Sequence, residues 1–339
     1  MVISSDRQAS TESVSVAPIS GVWRLRAESE DRGERLDRFL AQKLPQLSRG
    51  QWRKVIDIGG VHFNGRRTRR CGSVVNVGDR IEAYIDGREL EPYRVSDQDI
   101  IYLDRHLIAL NKPYGVEMQP THARYIGTLY EAMLTWMRER SKNPRSEPSL
   151  GMVQRLDRDT SGLLVFSIHP QAHRGLTTAF TSRKARKVYL ALIAGELQGE
   201  GEYRSMLARS RKGNLVKSVP AGGKEAITRY RVLASSQGCS LVQVEPLTGR
   251  SHQIRVHFSE AGYPLIGDLR YGGPREIDGQ TVLRQQLHAW KLAIAHPVTG
   301  APMEFVASLP VDMEQLLAHF NWEMNSFQKT DASIDGLVK

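Results

Sequence analysis

Cysteine is nearly absent: the 339-residue chain holds two, Cys71 and Cys239, far apart and without C-x-x-C spacing. That count excludes a disulfide framework and a cysteine-based zinc site, and it fits a reducing compartment. No uninterrupted apolar run approaches the ~20 residues a bilayer span needs, so no membrane-embedded partner is expected. The first twenty residues lack the basic-then-apolar order of a secretory signal, and Asp6 and Glu12 argue against a transit peptide. The cytoplasm is the expected location. Glycine-rich nucleotide loops and internal repeats are also missing.

What the chain has in excess is positive charge. There are 47 Lys and Arg against 37 Asp and Glu, a formal net charge of +10. Such a balance favours a polyanionic partner, nucleic acid or an anionic membrane surface. The remaining composition, 40% hydrophobic and 25% charged, is that of an ordinary soluble globular protein. Its length allows two domains and tails. The charge is concentrated in two stretches. Residues 32–70 carry eleven Lys and Arg against three acids, and residues 183–231 carry twelve against four.

A disordered tail is expected over residues 1–30, Ser-rich at its start, although Trp23-Arg-Leu-Arg26 can make a short strand. Leu36, Phe39, Leu40 and Leu44 then recur at helical spacing. A second helix begins at Ser48, where Gln51 three residues on makes a capping-box pattern, and Trp52, Val55 and Ile56 form its stripe. Val61–Phe63 is predicted as a strand, Asn64-Gly65 as a turn, and Ile81, Ala83 and Ile85 alternate as a closing strand. Arg35, Arg38, Arg49, Arg53 and Lys54 fall off the apolar stripes, where charges are most often simply solvated. A polar linker is predicted at 87–98 and a flexible C-terminal tail at 323–339.

Within residues 99–322 the central stretch is Gly151-Met-Val-Gln-Arg-Leu-Asp-Arg-Asp-Thr-Ser-Gly162, leading into an apolar run that predicts a buried strand. Asp157 stands between Arg155 and Arg158. Taken alone, such a cluster is more often a surface ion-pair patch than an active site. Pro170 is suited to the first position of a helix running to about Thr181. Ser251 can cap a helix carrying Ile254, Val256 and Phe258. His252 and His257 are five residues apart, hence on different helix faces, so no metal is expected there.

Longer words shift these odds. Arg155-Leu-Asp-Arg-Asp-Thr-Ser-Gly162 resembles the catalytic signature of the RluA-type pseudouridine synthases. Asn111-Lys-Pro-Tyr-Gly115 resembles the turn that opens that family's catalytic domain, and Lys187-Val-Tyr-Leu-Ala191, Thr248-Gly-Arg-Ser-His-Gln-Ile-Arg-Val-His257 and Leu287-His-Ala289 resemble its further motifs. The basic segment at 34–86 resembles the alpha-L RNA-binding module first known from a ribosomal small-subunit protein. Together the likeness spans about residues 34–322. One departure is visible: many members carry His where this chain has Gln154. A neutral amide can replace imidazole in hydrogen bonding but not in proton transfer.

The resemblance implies an α/β (α+β) fold, with a mixed, mainly antiparallel sheet in the catalytic domain. It implies isomerisation of uridine in RNA, most simply large-subunit ribosomal RNA, with transfer RNA as an alternative. Asp157 would be the essential carboxylate, Arg255 its partner, and Tyr189 the ring that stacks on the target base. Arg155 would enter the space the flipped base vacates, or simply touch phosphate. The module's basic residues would hold phosphates. The reaction breaks a carbon–nitrogen glycosidic bond and remakes it through carbon 5, with no redox change, so no cofactor is expected. A carboxylate at the anomeric centre can stabilise positive charge, attack covalently or remove a ribose proton, and the sequence leaves all three open. A monomer is expected. A non-catalytic RNA-binding protein and a two-carboxylate glycosidase are the other readings. The first is disfavoured by Asp157, Tyr189 and Arg255 occurring together, the second by the lack of a well-separated acidic partner.

Overall fold

The computed structural model describes residues 19–141, 143, 147–210 and 215–324. Residues 1–18 and 325–339, which contain most of the two expected tails, lie outside that range. The chain divides into two compact units, the first made of residues up to Tyr93 plus Gln119–Thr128, the second of Arg94–Met118 and everything from Leu129.

In the first unit the chain is already a strand at β1 (Ser20–Arg26), so these residues of the stretch expected as a disordered tail are ordered. Then come α1 (Leu36–Lys43), α2 (Arg49–Asp57), β2 (Val61–Phe63), β3 (Arg66–Thr68) and β4 (Arg80–Asp86). The sheet order is β1-β4-β2-β3, with antiparallel pairing throughout. Local chemistry sets the boundaries. The Ser48 hydroxyl accepts from the Gln51 amide at 3.3 Å, while the Gln51 side chain accepts from the Ser48 amide at 2.8 Å. Asn64 and Gly65 both take positive φ, 52° and 77°, the geometry of a tight β2–β3 hairpin. Alternation in β4 turns Ile81, Ala83 and Ile85 toward Leu36, Phe39, Leu40, Trp52 and Ile56, all fully buried. Each such large side chain contributes about 1.5–3 kcal/mol by leaving water.

The segment 119–128 is woven into this unit. The Tyr125 and Ile126 amides donate to the Ile58 carbonyl at 2.7 and 3.1 Å. Arg124, 6% exposed, bonds the Asp86 carboxylate at 3.2 Å and the Glu89 carbonyl at 2.7 Å.

The second unit runs β5 (Ile100–Leu103), β6 (Leu107–Lys112), α3 (Leu129–Arg140), β7 (Gly151–Met152), β8 (Ser161–Ser167), α4 (Pro170–Thr181) and β9 (Arg186–Ala194). It continues with β10 (Glu200–Arg209), β11 (Val216–Ser218), β12 (Lys224–Ser236), β13 (Cys239–Pro246) and α5 (Gln253–Glu260). The short pair β14 (Glu276–Ile277) and β15 (Gln280–Thr281) precedes β16 (Leu287–Ala295), β17 (Pro302–Val306) and α6 (Val311–His319). Eleven strands form one sheet in the order β11-β10-β12-β13-β9-β16-β8-β6-β5, with β17 on β16 and β7 on β8. Among the described residues β8 and β16 are its parallel pair, and the other ladders are antiparallel. The fold is thus α+β with a mixed, mainly antiparallel sheet. One face of the sheet packs on Met313, Leu316 and Leu317 of α6. The other packs on Ile254 and Phe258 of α5. β8 is buried along its whole length, which is why its sequence is a continuous apolar run. Gly162 makes the parallel contact possible: with φ at 111°, a Cβ there would stand 2.2 Å from the Ala289 carbonyl oxygen.

Candidate active site

Asp157 lies in the loop between β7 and β8, and the backbone after it is clamped from two sides. Lys112, fully buried at the end of β6, donates to the carbonyls of Pro113, Arg158 and Thr160 at 2.9, 2.8 and 3.0 Å. Burial pushes its pKa down to about 7, while Asp159 and Glu117 act in the opposite direction. The Gly115 amide also donates to the Arg158 carbonyl, at 3.0 Å. Arg284 donates to the Asp159 carbonyl at 3.1 Å and is itself held by both oxygens of Asp312, at 2.7 and 2.9 Å. The loop therefore presents Asp157 from a fixed frame, as a reacting group requires.

Arg255 approaches from α5. Its Nη1 donates to Asp157 Oδ2 at 2.8 Å, while Nε and Nη2 hold Asp268 at 2.6 and 2.8 Å. Asp268 is 2% exposed, so the fork behind Arg255 is shielded from water. Burial opposes the Arg255 charge, but Asp268 and then Asp157 outweigh it, so its pKa is raised. A guanidinium fixed by one carboxylate orients the other. The Arg255 guanidinium also lies 4.9 Å from the Tyr271 ring centre.

Two further side chains face this pair. Tyr189, half-buried on β9, shares the sheet face that packs on α5. Burial, reinforced by the negative charge of Asp157, raises its pKa and keeps the phenol neutral. His252 sits at the N-cap of α5 in the left-handed region, φ 54°, unusual for a residue with a Cβ. Its Nε2 is 3.9 Å from Asp157 Oδ2, and its Nδ1 is 2.7 Å from the Tyr271 hydroxyl. Burial lowers its pKa, with Asp157 acting the other way. The cap expected from Ser251 is not formed: His252 holds that position, without a side-chain cap bond.

The remaining predicted residues are scattered. Arg155 is exposed, with no hydrogen bond or ion pair among the described residues. Gln154 is half-buried and donates to the Leu163 carbonyl at 3.5 Å. On the first unit, Arg35 and Arg49 both bind Asp37, at 3.1 and 3.0 Å, and that carboxylate is fully buried. Arg38 pairs with Glu34 at 3.4 Å, and Lys54 pairs with Glu91. Arg53 is exposed and unpaired among the described residues.

His257 spends both nitrogens on Thr228 and Ser205, at 2.9 and 3.0 Å. Asp104, His106 and His296 cluster elsewhere in the second unit. There His296 Nδ1 accepts the Val298 and Thr299 amides, which leaves the proton on Nε2, donated to Asp104 at 2.9 Å. A metal at that nitrogen would have to displace this proton.

The pattern of the RNA pseudouridylate synthases matches residues 106–260, and that of the S4 domain matches residues 34–81. An uncharacterised RNA pseudouridine synthase of Chloroflexus aurantiacus is 38% identical over 287 residues, covering 84% of this chain and 89% of that protein. The chain belongs to the RNA pseudouridylate synthase family. A ribosomal large subunit pseudouridine synthase D of Neisseria meningitidis is 34% identical, over 84% of this synthase and 78% of that one. Human RNA Pseudouridylate Synthase Domain Containing 4 shares the fold, with a TM-score of 0.54 at 22% identity, over 66% of this chain and 94% of the human one. The synthase is an isomerase that acts on uridine in RNA. No helix among its described residues is long and apolar enough to cross a membrane.

Sequence reasoning named Asp157, Arg255 and Tyr189, and the structure brings these three together. It gave no site role to Asp268, His252, Tyr271, Lys112 or Arg284. Lys112 and His252 lie inside motifs quoted above, but nothing in their spacing tells which side chains they contact. Asp268, Tyr271 and Arg284 lie outside those motifs.

Proposed function

We infer that the synthase isomerises specific uridines of large-subunit ribosomal RNA, with Asp157 as the essential carboxylate and the target base turned out of its stack. The observation that carries this reading is the Asp157–Arg255–Asp268 chain of charges. It orients one half-exposed carboxylate beside the neutral Tyr189 ring. Turning a base out costs a few kcal/mol, and stacking on Tyr189 offsets about 1–3 kcal/mol of that. The bond from the anomeric carbon to N1 then breaks, the uracil turns, and the bond to C5 forms. C5 finally loses its proton, and N1 gains one. Asp157 serves the anomeric carbon and Arg255 keeps it oriented, while Arg155, unpaired and exposed, enters the space left in the stack. The S4 domain's Arg38, Arg53 and Lys54 supply phosphate contacts, together with Arg35 and Arg49 around Asp37.

Support for the large subunit as target comes from the names of the Neisseria and Haemophilus relatives. The test is pseudouridine mapping of total RNA from cells with and without the gene. Loss of one or a few sites in large-subunit RNA is expected. Loss confined to transfer RNA would redirect the target and leave the chemistry standing.

A further inference from the structure

The protons around His252 are fixed by its neighbours. The Val216 amide donates to the Tyr271 oxygen at 3.1 Å. The Tyr271 hydroxyl gives its own hydrogen to His252 Nδ1, 2.7 Å away, since the opposite tautomer would leave that hydrogen without an acceptor among the described residues. With Nδ1 an acceptor, the neutral imidazole carries its hydrogen on Nε2. That N–H faces Asp157 Oδ2 across 3.9 Å, too long for a direct hydrogen bond. No other hydrogen-bond partner of Nε2 exists among the described residues.

The imidazole is brought there at a cost, since left-handed backbone at a residue with a Cβ is strained, and strain of this kind gathers at functional sites. A single oxygen about 2.8 Å from both atoms would fill the gap at ordinary hydrogen-bond lengths. It must accept from an N–H and donate to a carboxylate. Uracil offers only carbonyl acceptors and one N–H, so neither end of the base can do both. Next to the anomeric carbon, the ribose 2′-hydroxyl can.

We propose that His252 and Asp157 together bracket the ribose 2′-hydroxyl of the target nucleotide, so that the site reads the sugar as well as the base. This rests on Asp157 acting at the anomeric carbon. Tyr271 is a positioning residue: it sets which imidazole nitrogen carries the hydrogen and touches no substrate. Deoxyuridine in the same loop would leave the Nε2–H without a partner.

The experiment uses the full-length enzyme and a hairpin RNA carrying a mapped target uridine, made with ribose or 2′-deoxyribose at that one position. Wild type, His252→Asn and Tyr271→Phe are compared in single-turnover pseudouridine formation. Asparagine tolerates left-handed backbone and is too short to reach the gap. Wild type is expected to favour ribose by about tenfold, the scale of one lost hydrogen bond in a desolvated site. Both variants should slow on ribose and lose most of that preference, with little change on the deoxy hairpin. If the deoxy hairpin reacts too slowly, its inhibition constant against the ribose hairpin replaces the rate. Equal slowing on both sugars, or an unchanged ribose rate in His252→Asn, would overturn the proposal. Absence of pseudouridine with wild type, or full activity of Asp157→Asn, would instead overturn the reading of Asp157 beneath it.

Discussion

At the scale of single residues the site separates chemistry from scaffolding. Asp157→Asn keeps shape and most hydrogen bonds but removes the charge that Arg255 holds, so the variant should fold, bind RNA and form no pseudouridine. Near-normal turnover in a single-turnover assay would refute the role given to it. Gln154→His introduces a group that titrates near pH 6.5. Gln154 makes one long bond to Leu163, so the pH profile should stay unchanged and the rate nearly so. A new ionisation near that pH would show that the position touches the reaction. His288 governs a different pH effect. It is fully buried against Ser161 at 3.0 Å, and burial lowers its pKa to about 4. The unfolded chain takes up this proton near pH 6.5, the folded chain only near 4. The neutral imidazole's contribution is therefore complete above pH 6.5 and is lost as the pH falls toward 4, about 3 kcal/mol in all. Urea unfolding at pH 7 and 4.5 should show that loss, and His288→Gln should flatten it.

At the scale of elements, what was legible depended on how local the rule was. The Ser48–Gln51 box, the Asn64-Gly65 hairpin and the Pro170 helix start each involve neighbours in sequence, and each formed as predicted. Strand β10 went unseen because its exposed positions, Glu200, Glu202 and Arg204, carry ion pairs and its inner ones include Gly201 and Ser205. Little apolar alternation remains to be read there. Lys112 was read as part of a turn, yet it is buried, because three carbonyls from two loops meet at its ammonium. That meeting is a product of the fold, as is the partnership of Arg255 with Asp268. Gly162 gives a test at this scale. Gly162→Ala sets a methyl 2.2 Å from the Ala289 oxygen, and this is backbone that cannot swing away. Separation of β8 from β16 should lower thermal stability and activity together, whereas an unchanged melting temperature would mean that the two strands part freely.

At the scale of the whole molecule, the basic charge and the first unit belong together. If the helices α1 and α2 grip phosphates, each contact released lowers the slope of log affinity against log salt by about one. Arg53→Gln is the clean test, since Arg53 is unpaired. Arg35 or Arg49 would, on removal, leave the buried Asp37 short of a partner and confuse binding with stability. A salt titration should show a slope shallower by about one for Arg53→Gln. Identical slopes would make these helices a merely solvated face. Outright deletion of residues 1–93 is a poorer experiment than the linear order of motifs suggests. It strips Arg124 of Asp86 and Glu89, and the melting temperature of what remains should fall.

The same segment, Gln119–Thr128, has a consequence on the ribosome. The first unit is spelled out by codon 93 except for these ten residues, which follow a detour through part of the second unit. At about 5–20 residues per second, the 35 residues from Tyr93 to Thr128 take roughly 2–7 s to make. During that interval the nascent module has Ile58 and Asp86 but not the Tyr125 amide and Arg124 guanidinium that satisfy them. Its last strap arrives only with the opening of α3, so translation itself dictates that the module closes after the second unit has begun.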